Sequence, residues 1–150
     1  MIRDDKPTRR IPLAWIVGNT RDMGDAVQAV VRHAAEVQCR ATLAVALREL
    51  SQDAPDLVLV CQQWPEEYRT EEVEQLLESL PLARIVCSYG PWCGSDGRTR
   101  VIWPFALRVP AERAASRILA ELDVIAGRRL PLPRTAGLEE VFTFDAGVER

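Results

Sequence analysis

The stretch Pro55-Asp-Leu-Val-Leu-Val-Cys61-Gln-Gln-Trp64-Pro65 holds five consecutive apolar residues between two prolines. A short run that does not alternate with polar residues is typical of a strand whose two faces are both buried. Such strands occur in parallel sheets, because crossover helices cover each face of the sheet. The stretch therefore predicts a fully buried strand over residues 57–61.

Further strands and helices alternate along the chain on both sides of this run. Apolar runs predict strands at residues 13–17, 84–88 and 100–103, and residues 37–42 are a weaker strand candidate. Apolar residues at helical spacing predict helices at residues 21–36, 43–50, 73–80 and 111–126, of which Asn19 or Thr20 would cap the first. This alternation implies an α/β fold, with a parallel sheet and helices on both of its faces.

Two landmarks in this order resemble those of response-regulator receiver domains, over about residues 11–126. The stretch at 55–65 is similar to P-D-L-V-L-x-D-x-x-M-P, which ends the family's third strand. The stretch Val101-Ile-Trp103-Pro104-Phe105 is similar to the K-P-F that ends the fifth. The resemblance implies a flavodoxin-like fold, whose five strands take the order 2-1-3-4-5 and whose ligand crevice lies at the carboxyl ends of strands 1 and 3.

The groups that carry receiver chemistry are replaced in this chain. Cys61 stands at the aspartate that accepts the phosphoryl group, Trp103 stands at the lysine, and Lys6 is the only lysine in the sequence. Gly18 and Asn19 stand at the acidic pair that holds magnesium, an ion that requires hard oxygen ligands. We expect no phosphoryl transfer, no metal and no cofactor. The remnant pocket predicted from the resemblance comprises Gly18, Asn19, Cys61, Ser88, Trp103 and Pro104.

The segment from Tyr89 to Thr99 departs from the receiver pattern. The family places its fourth helix here, but this segment contains three glycines and a proline. Both residue types disfavour helix interiors. We therefore expect a fourth helix that is shortened or replaced by a loop, which would leave uncovered the face that receivers use for partners.

Composition excludes several classes of protein. The chain of 150 residues is 47% hydrophobic, enough for one core. Its net charge of −3 and scattered arginines argue against nucleic-acid binding. The absence of an apolar run of ~20 residues and of a signal-peptide core predicts a cytoplasmic protein without membrane contact. The four cysteines lack the paired spacings of a disulfide framework or a zinc site.

Catalytic patterns are sparse. Cys93 lies in Pro91-Trp-Cys-Gly, which resembles half of a thioredoxin motif, but Asp96 replaces the second cysteine. The sole histidine, His33, falls beside the apolar stripe of its helix and is expected to be exposed. These features predict that the chain is not an enzyme. A thiol-dependent enzyme remains an alternative, which convergence of Cys61, Cys87 and Cys93 would favour.

The chain divides into a polar arm (residues 1–10), a receiver-like domain (residues 11–127) and a tail (residues 128–150). The apolar residues of the tail require a docking surface on this domain or on a second subunit. Aromatic residues beside the crevice and in the tail form the predicted interaction surface: Trp64, Tyr68, Tyr89, Trp92, Phe142 and Phe144. For Trp64, support of its own loop is the favoured role, and the interaction surface is the alternative.

The function predicted from these features is a non-phosphorylatable, receiver-like module for protein interaction or regulation. Its partner would be another protein or a second copy of the chain. The alternative is a flavodoxin-like domain that binds a small molecule at the carboxyl edge of strands 1 and 3. An open crevice beside Gly18, Asn19 and Cys61 would favour the binder, and a crevice filled by Trp103 would favour the interaction module.

Overall fold

A computed structural model describes residues 10–50, 54–65, 67–94 and 103–146. Parts of three predicted segments therefore lie outside the described residues: 1–9 of the arm, 95–99 of the glycine-rich segment and 100–102 of the fifth strand. No peptide bond within the described ranges is cis. Those ranges also contain no helix that is long and apolar enough to cross a membrane.

Five parallel strands form one sheet in the order β2-β1-β3-β4-β5. They are β1 (Ile11–Val17), β2 (Ala34–Arg40), β3 (Leu57–Gln62), β4 (Arg84–Tyr89) and β5 (Arg108–Pro110). Every residue of β3 is buried, because the strand lies at the centre of the sheet and helices pack on both faces. The predicted fold class and strand order are confirmed.

Six α-helices occur in the described part of the chain. They are α1 (Gly24–His33), α2 (Leu43–Arg48), α3 (Thr70–Ser79), α4 (Pro91–Gly94), α5 (Ala114–Ile125) and α6 (Leu138–Ala146). Helices α1 and α5 bury apolar residues in one cluster with β1 and β3, and α2, α3 and α6 bury theirs in a second cluster. Because successive residues of a strand point to opposite faces, β1 contributes Ile16 to the first cluster and Trp15 to the second.

The prediction for the first helix is wrong at both ends. Its start lies later because Asn19 Oδ1 accepts a hydrogen bond from Arg21 N (2.9 Å) and so forms a turn rather than a cap. Asp22 then adopts a left-handed backbone with φ of 61°, and the helix begins only at Gly24. Its end lies earlier because Ala34 is already extended and starts β2 without a connecting loop.

The fifth strand lies farther along the chain than predicted. Trp103 is in a bend, and the strand that pairs with β4 is Arg108–Pro110, with Cys87 opposite Arg108. The strand is short and contains one buried apolar residue, Val109, so its sequence shows no apolar run. Pro110 is tolerated because β5 is an edge strand, where a missing N–H removes no hydrogen bond within the sheet.

The C-terminal tail packs against its own domain. Four of its side chains join the cluster on the face of α2 and α3: Leu132, Ala136, Val141 and Phe144. Val141 and Phe144 of α6 therefore supply part of the apolar cover on this face of the sheet. The two alternatives for the tail were docking on its own domain and docking on a second subunit. In the structure the tail docks on its own domain and shares the core of residues 11–127.

Arginines hold the start of the tail against the amino end of β4. Arg134 donates a hydrogen bond to the carbonyl of Leu80 (3.1 Å) and to two carbonyls nearby. Arg84 donates to the carbonyl of Leu132 (3.2 Å) and pairs with the carboxylate of Glu121 (2.5 Å). Glu121 is buried on α5, and this pairing offsets the cost of removing its charge from water.

Arg117 of α5 holds the end of the tail. Its side chain is 1% exposed and binds Asp145 through two bonds, Nε to Oδ1 (2.7 Å) and Nη2 to Oδ2 (2.8 Å). A third bond runs from Nη1 to the carbonyl of Ala106 (2.9 Å). The guanidinium groups of Arg117 and Arg129 also lie near the ring of Phe144, 5.8 and 4.0 Å from its centroid. Burial of the guanidinium therefore depends on the position of α6.

Replacement of Asp145 by alanine should lower the free energy of unfolding by about 3 kcal/mol, because it leaves the buried Arg117 without its carboxylate. Urea denaturation of the full chain measures this loss. Glu139→Ala removes an exposed carboxylate from the same helix and should change the stability by less than about 0.5 kcal/mol. Equal stability of the two variants would show that the pair does not anchor the tail.

Candidate functional site

The carboxyl edge of the sheet brings together most of the predicted pocket residues. Gly18 follows β1, Cys61 lies near the end of β3, and Ser88 stands beside Cys61 in the register of β3 with β4. Trp103 is buried in the cluster on the α2 and α3 face, whereas Asn19 is exposed. Gly18, Cys61 and Ser88 thus lie close to the carboxyl ends of neighbouring strands, and the chemistry of this edge depends on what fills the space between them.

Two aromatic side chains occupy the space next to Gly18 and Cys61. Tyr68 donates a hydrogen bond from its hydroxyl to the carbonyl of Cys61 (2.7 Å). Its ring meets the ring of Trp103 edge to face, with centroids 6.4 Å apart. Tyr68 and Trp103 are 6% and 2% exposed, so this part of the edge belongs to the core. The placement of Tyr68 on an exposed interaction surface was wrong, because its ring fills this space.

Gly18 allows the approach of Tyr68. Its backbone has φ of 99°, a conformation that residues with a side chain rarely adopt. A Cβ atom at this position would lie 2.3 Å from the Tyr68 hydroxyl and 2.5 Å from the carbonyl oxygen of Cys61. Absence of a side chain at residue 18 is therefore a condition for the hydrogen bond between Tyr68 and Cys61.

Polar groups at this edge do not form a metal site. The hydroxyl of Ser88 and the indole N–H of Trp103 are both buried without a hydrogen-bond partner in the described structure. Among the described residues, no three histidine, cysteine, aspartate or glutamate side chains are grouped so that they could hold a metal ion. Within the described residues, the edge therefore presents no grouped set of metal ligands.

The thiols near this edge are buried and protonated. Burial, and to a lesser extent the charge of Glu67, raises the pKa of Cys61 to about 12. Burial also raises the pKa of Cys87 and of Cys93. Cys93 is 7% exposed and directs its Sγ toward the carbonyl of Gln62 (3.8 Å). Because the thiolate is the reactive form, these cysteines behave as small apolar residues.

The loop after β3 is held by its own side chains. Gln62 Nε2 donates to the carbonyls of Trp64 (2.8 Å) and Pro65 (3.1 Å). Gln63 Nε2 donates to the carbonyl of Asn19 (2.8 Å), and the backbone N–H of Gln63 donates to the Glu67 carboxylate (2.6 Å). These bonds are an unforeseen function of the two glutamines. They support the loop, so the side chain of Trp64 is not needed for that role.

The side chain of Trp64 is 57% exposed on this supported loop. Tyr89, at the end of β4, is half-buried, and the guanidinium of Arg108 lies 4.6 Å from its ring centroid. Trp64 follows the end of β3 and Tyr89 ends β4, so these two residues lie at the carboxyl edge of the sheet. The side chain of Trp92 is outside the described part of the structure. Trp64 is therefore the best-defined exposed aromatic residue at this edge.

The two tail residues of the predicted surface point in different directions. Phe142 is 59% exposed on α6. Phe144 is buried between Arg117 and Arg129, so its assignment to an exposed surface was wrong. The alternation follows from the rotation of the helix, which places residues 141 and 144 inward and residue 142 outward. The six predicted residues do not form one continuous surface.

Gly18→Ala should lower the free energy of unfolding by about 3 kcal/mol or more, because the methyl group collides with Tyr68 and Cys61 in a left-handed backbone. Gly24→Ala is the matched control, since no atom lies within 4 Å of a Cβ there. Chemical denaturation should show an unchanged or slightly higher stability for the control, because alanine favours the helix. A Gly18→Ala protein as stable as the control would contradict the described packing.

Ellman's reagent should modify one thiol per folded chain at pH 8, that of the exposed Cys39, and all four after denaturation. Cys39→Ser should abolish the rapid reaction. Cys61 has a pKa of about 12 in the fold against 9.0 ordinarily, so its contribution to stability is complete below pH 9 and is lost as the pH rises toward 12. Rapid modification of a second thiol at pH 8 would contradict the burial.

Comparisons with protein-family models, curated proteins and solved structures found no match for this chain. The likeness to receiver domains therefore depends on the stretches around Cys61 and Trp103, and on the strand order. The strand order is common to many α/β proteins of unrelated activity. Any function must accordingly be argued from the carboxyl edge of the sheet and from the exposed surface.

Proposed function

We propose that this chain is a receiver-like protein-interaction module that does not accept a phosphoryl group. The filling of the carboxyl edge by Tyr68 and Trp103 carries the proposal. In this position a receiver needs a carboxylate, a metal and a lysine, whereas this chain has a protonated thiol and two buried aromatic rings. A signal that enters by phosphorylation has no acceptor here, so the module acts through the surfaces that it presents.

The same packing weighs against the small-molecule alternative. A ligand between strands 1 and 3 would have to displace the ring of Tyr68 and break its hydrogen bond to Cys61. Small-molecule sites are usually formed before binding and contain polar groups that orient the ligand. The neighbouring Ser88 hydroxyl is buried at 0% exposure and does not reach a solvent-filled space. A molecule that binds at this edge is therefore expected to contact the outer side of Tyr68 and Trp103.

Trp64 is the residue that we assign to partner binding. Tryptophan is enriched among the residues that dominate the energy of protein interfaces. Its loop is held by Gln62, Gln63 and Glu67, so the indole is presented without the entropic cost of ordering a flexible segment. A large apolar side chain on a fixed loop contributes most binding free energy when it inserts into a pocket of a partner protein.

Affinity capture from the source cells tests this proposal with three immobilised chains: wild type, Trp64→Ala and Leu82→Ala. Leu82 is 94% exposed between α3 and β4, at the opposite edge of the sheet, and so is a control for general apolar adhesion. A genuine partner should be retained by the wild type and by Leu82→Ala, and its affinity for Trp64→Ala should be at least ten-fold lower, a typical loss for an interface tryptophan.

Acetyl phosphate with magnesium provides the second arm of this experiment. It should leave the intact mass of the chain and the amount of captured partner unchanged. Phosphoryl transfer to the chain, or capture that depends on acetyl phosphate, would overturn the non-phosphorylatable module. Equal capture by all three chains would overturn the assignment of Trp64.

A further inference from the structure

The outer edge of β2 is open for pairing. β2 is an edge strand of seven residues, and no other described strand pairs with its outer side. Native edge strands usually carry a proline, a bulge or a lysine, or are very short, because an open edge can bind another strand. The sequence Ala34-Ala-Glu-Val-Gln-Cys-Arg40 has no proline, glycine or lysine. Charged side chains also protect an edge strand, and the two on β2, Glu36 and Arg40, are of opposite sign.

The backbone groups that face outward can be assigned from the pairing with β1. The carbonyl of Arg40 accepts a hydrogen bond from Gly18 N (2.9 Å), so the backbone of Arg40 points toward β1. Backbone groups of successive strand residues point to alternate sides. Ala35, Val37 and Cys39 therefore direct their N–H and C=O groups outward, and Ala35 and Cys39 are exposed.

The remaining residues form a polar row along one face of β2. Gln38 Nε2 donates to Glu36 Oε2 (2.9 Å), and Arg40 Nη2 donates to Gln38 Oε1 (3.0 Å). The row runs from the Glu36 carboxylate to the Arg40 guanidinium, whose Nε also pairs with Glu49 of the same chain (2.6 Å), so an antiparallel copy of the row has the complementary order of these two side chains. This self-complementarity selects a second copy of the chain as the partner.

We propose that two copies of the chain pair through their β2 strands in antiparallel orientation and form one continuous sheet. A two-fold axis at Gln38 places Glu36 opposite Arg40 of the second copy. It also places the outward-facing Val37 and Cys39 opposite each other as a hydrogen-bonded pair. A shift of the axis to Val37 or to Cys39 removes the pairing of Glu36 with Arg40. The inference does not use Trp64, so it and the proposed function can fail separately.

Disulfide trapping tests both the pairing and its register. In a Cys39→Ser background, Gln38→Cys puts two thiols opposite each other across the axis, within the Cα range of about 4.4–6.8 Å that a disulfide spans. Glu36→Cys is the matched control on the same face. Its two copies are offset by four residues, or ~13 Å, too far for a disulfide. Mild oxidation should convert most of the Gln38→Cys protein, and little of the control, to a covalent dimer.

Light scattering of the unmodified chain supplies an independent measurement. The expected mass is twice 16.8 kDa, and Glu36→Arg should weaken the dimer at least ten-fold, because it places two cations opposite each other. Glu36 is exposed, so at a concentration at which both proteins are monomeric this variant should unfold at the same temperature as the wild type. A monomeric wild type at millimolar concentration would overturn the proposal. Equal trapping of both cysteine variants would overturn the register.

Discussion

The buried pair of Arg117 and Asp145 joins the last helix to the rest of the molecule. A guanidinium that is 1% exposed has a large desolvation cost, and the carboxylate that offsets it comes from a helix 28 residues farther along the chain. The third bond, to the carbonyl of Ala106, fixes the segment between Trp103 and β5 against the same side chain. Docking of α6, the course of this segment and the cover of the sheet are therefore mutually dependent.

The packing of side chains at the carboxyl edge of the sheet depends on a second constraint, the close approach of Tyr68 to Gly18. The Tyr68 ring fills the space beside Cys61. Its contact with the ring of Trp103 connects the loop before α3 with the segment that precedes β5. Burial of apolar surface is favourable by about 25 cal/mol per Å², so the two aromatic rings stabilise this part of the edge. Because both rings are buried, a charged group could enter this space only by displacing them.

Long-range packing explains which features could be predicted from the sequence. The strand at residues 57–61 and the α/β order were predictable, because an unbroken apolar run and helical spacing are local patterns. The fifth strand was misplaced, since Arg108-Val-Pro110 is recognisable as a strand only by its pairing with β4. Tyr68 has no local signal for burial, as its position depends on the glycine at residue 18, 50 positions earlier in the chain. A glycine that directly follows a buried strand was the available indication.

The position of α6 determines which surfaces are open to a partner. Val141 and Phe144 of the tail cover part of the apolar cluster on the α2 and α3 face. A partner that used this surface would have to break the Arg117–Asp145 pair and expose the cluster. Contacts at Trp64 or along β2 require no such rearrangement, because the Trp64 side chain is already exposed and no other described strand pairs with the outer side of β2. Association is therefore less costly at these two places than at the face that the tail covers.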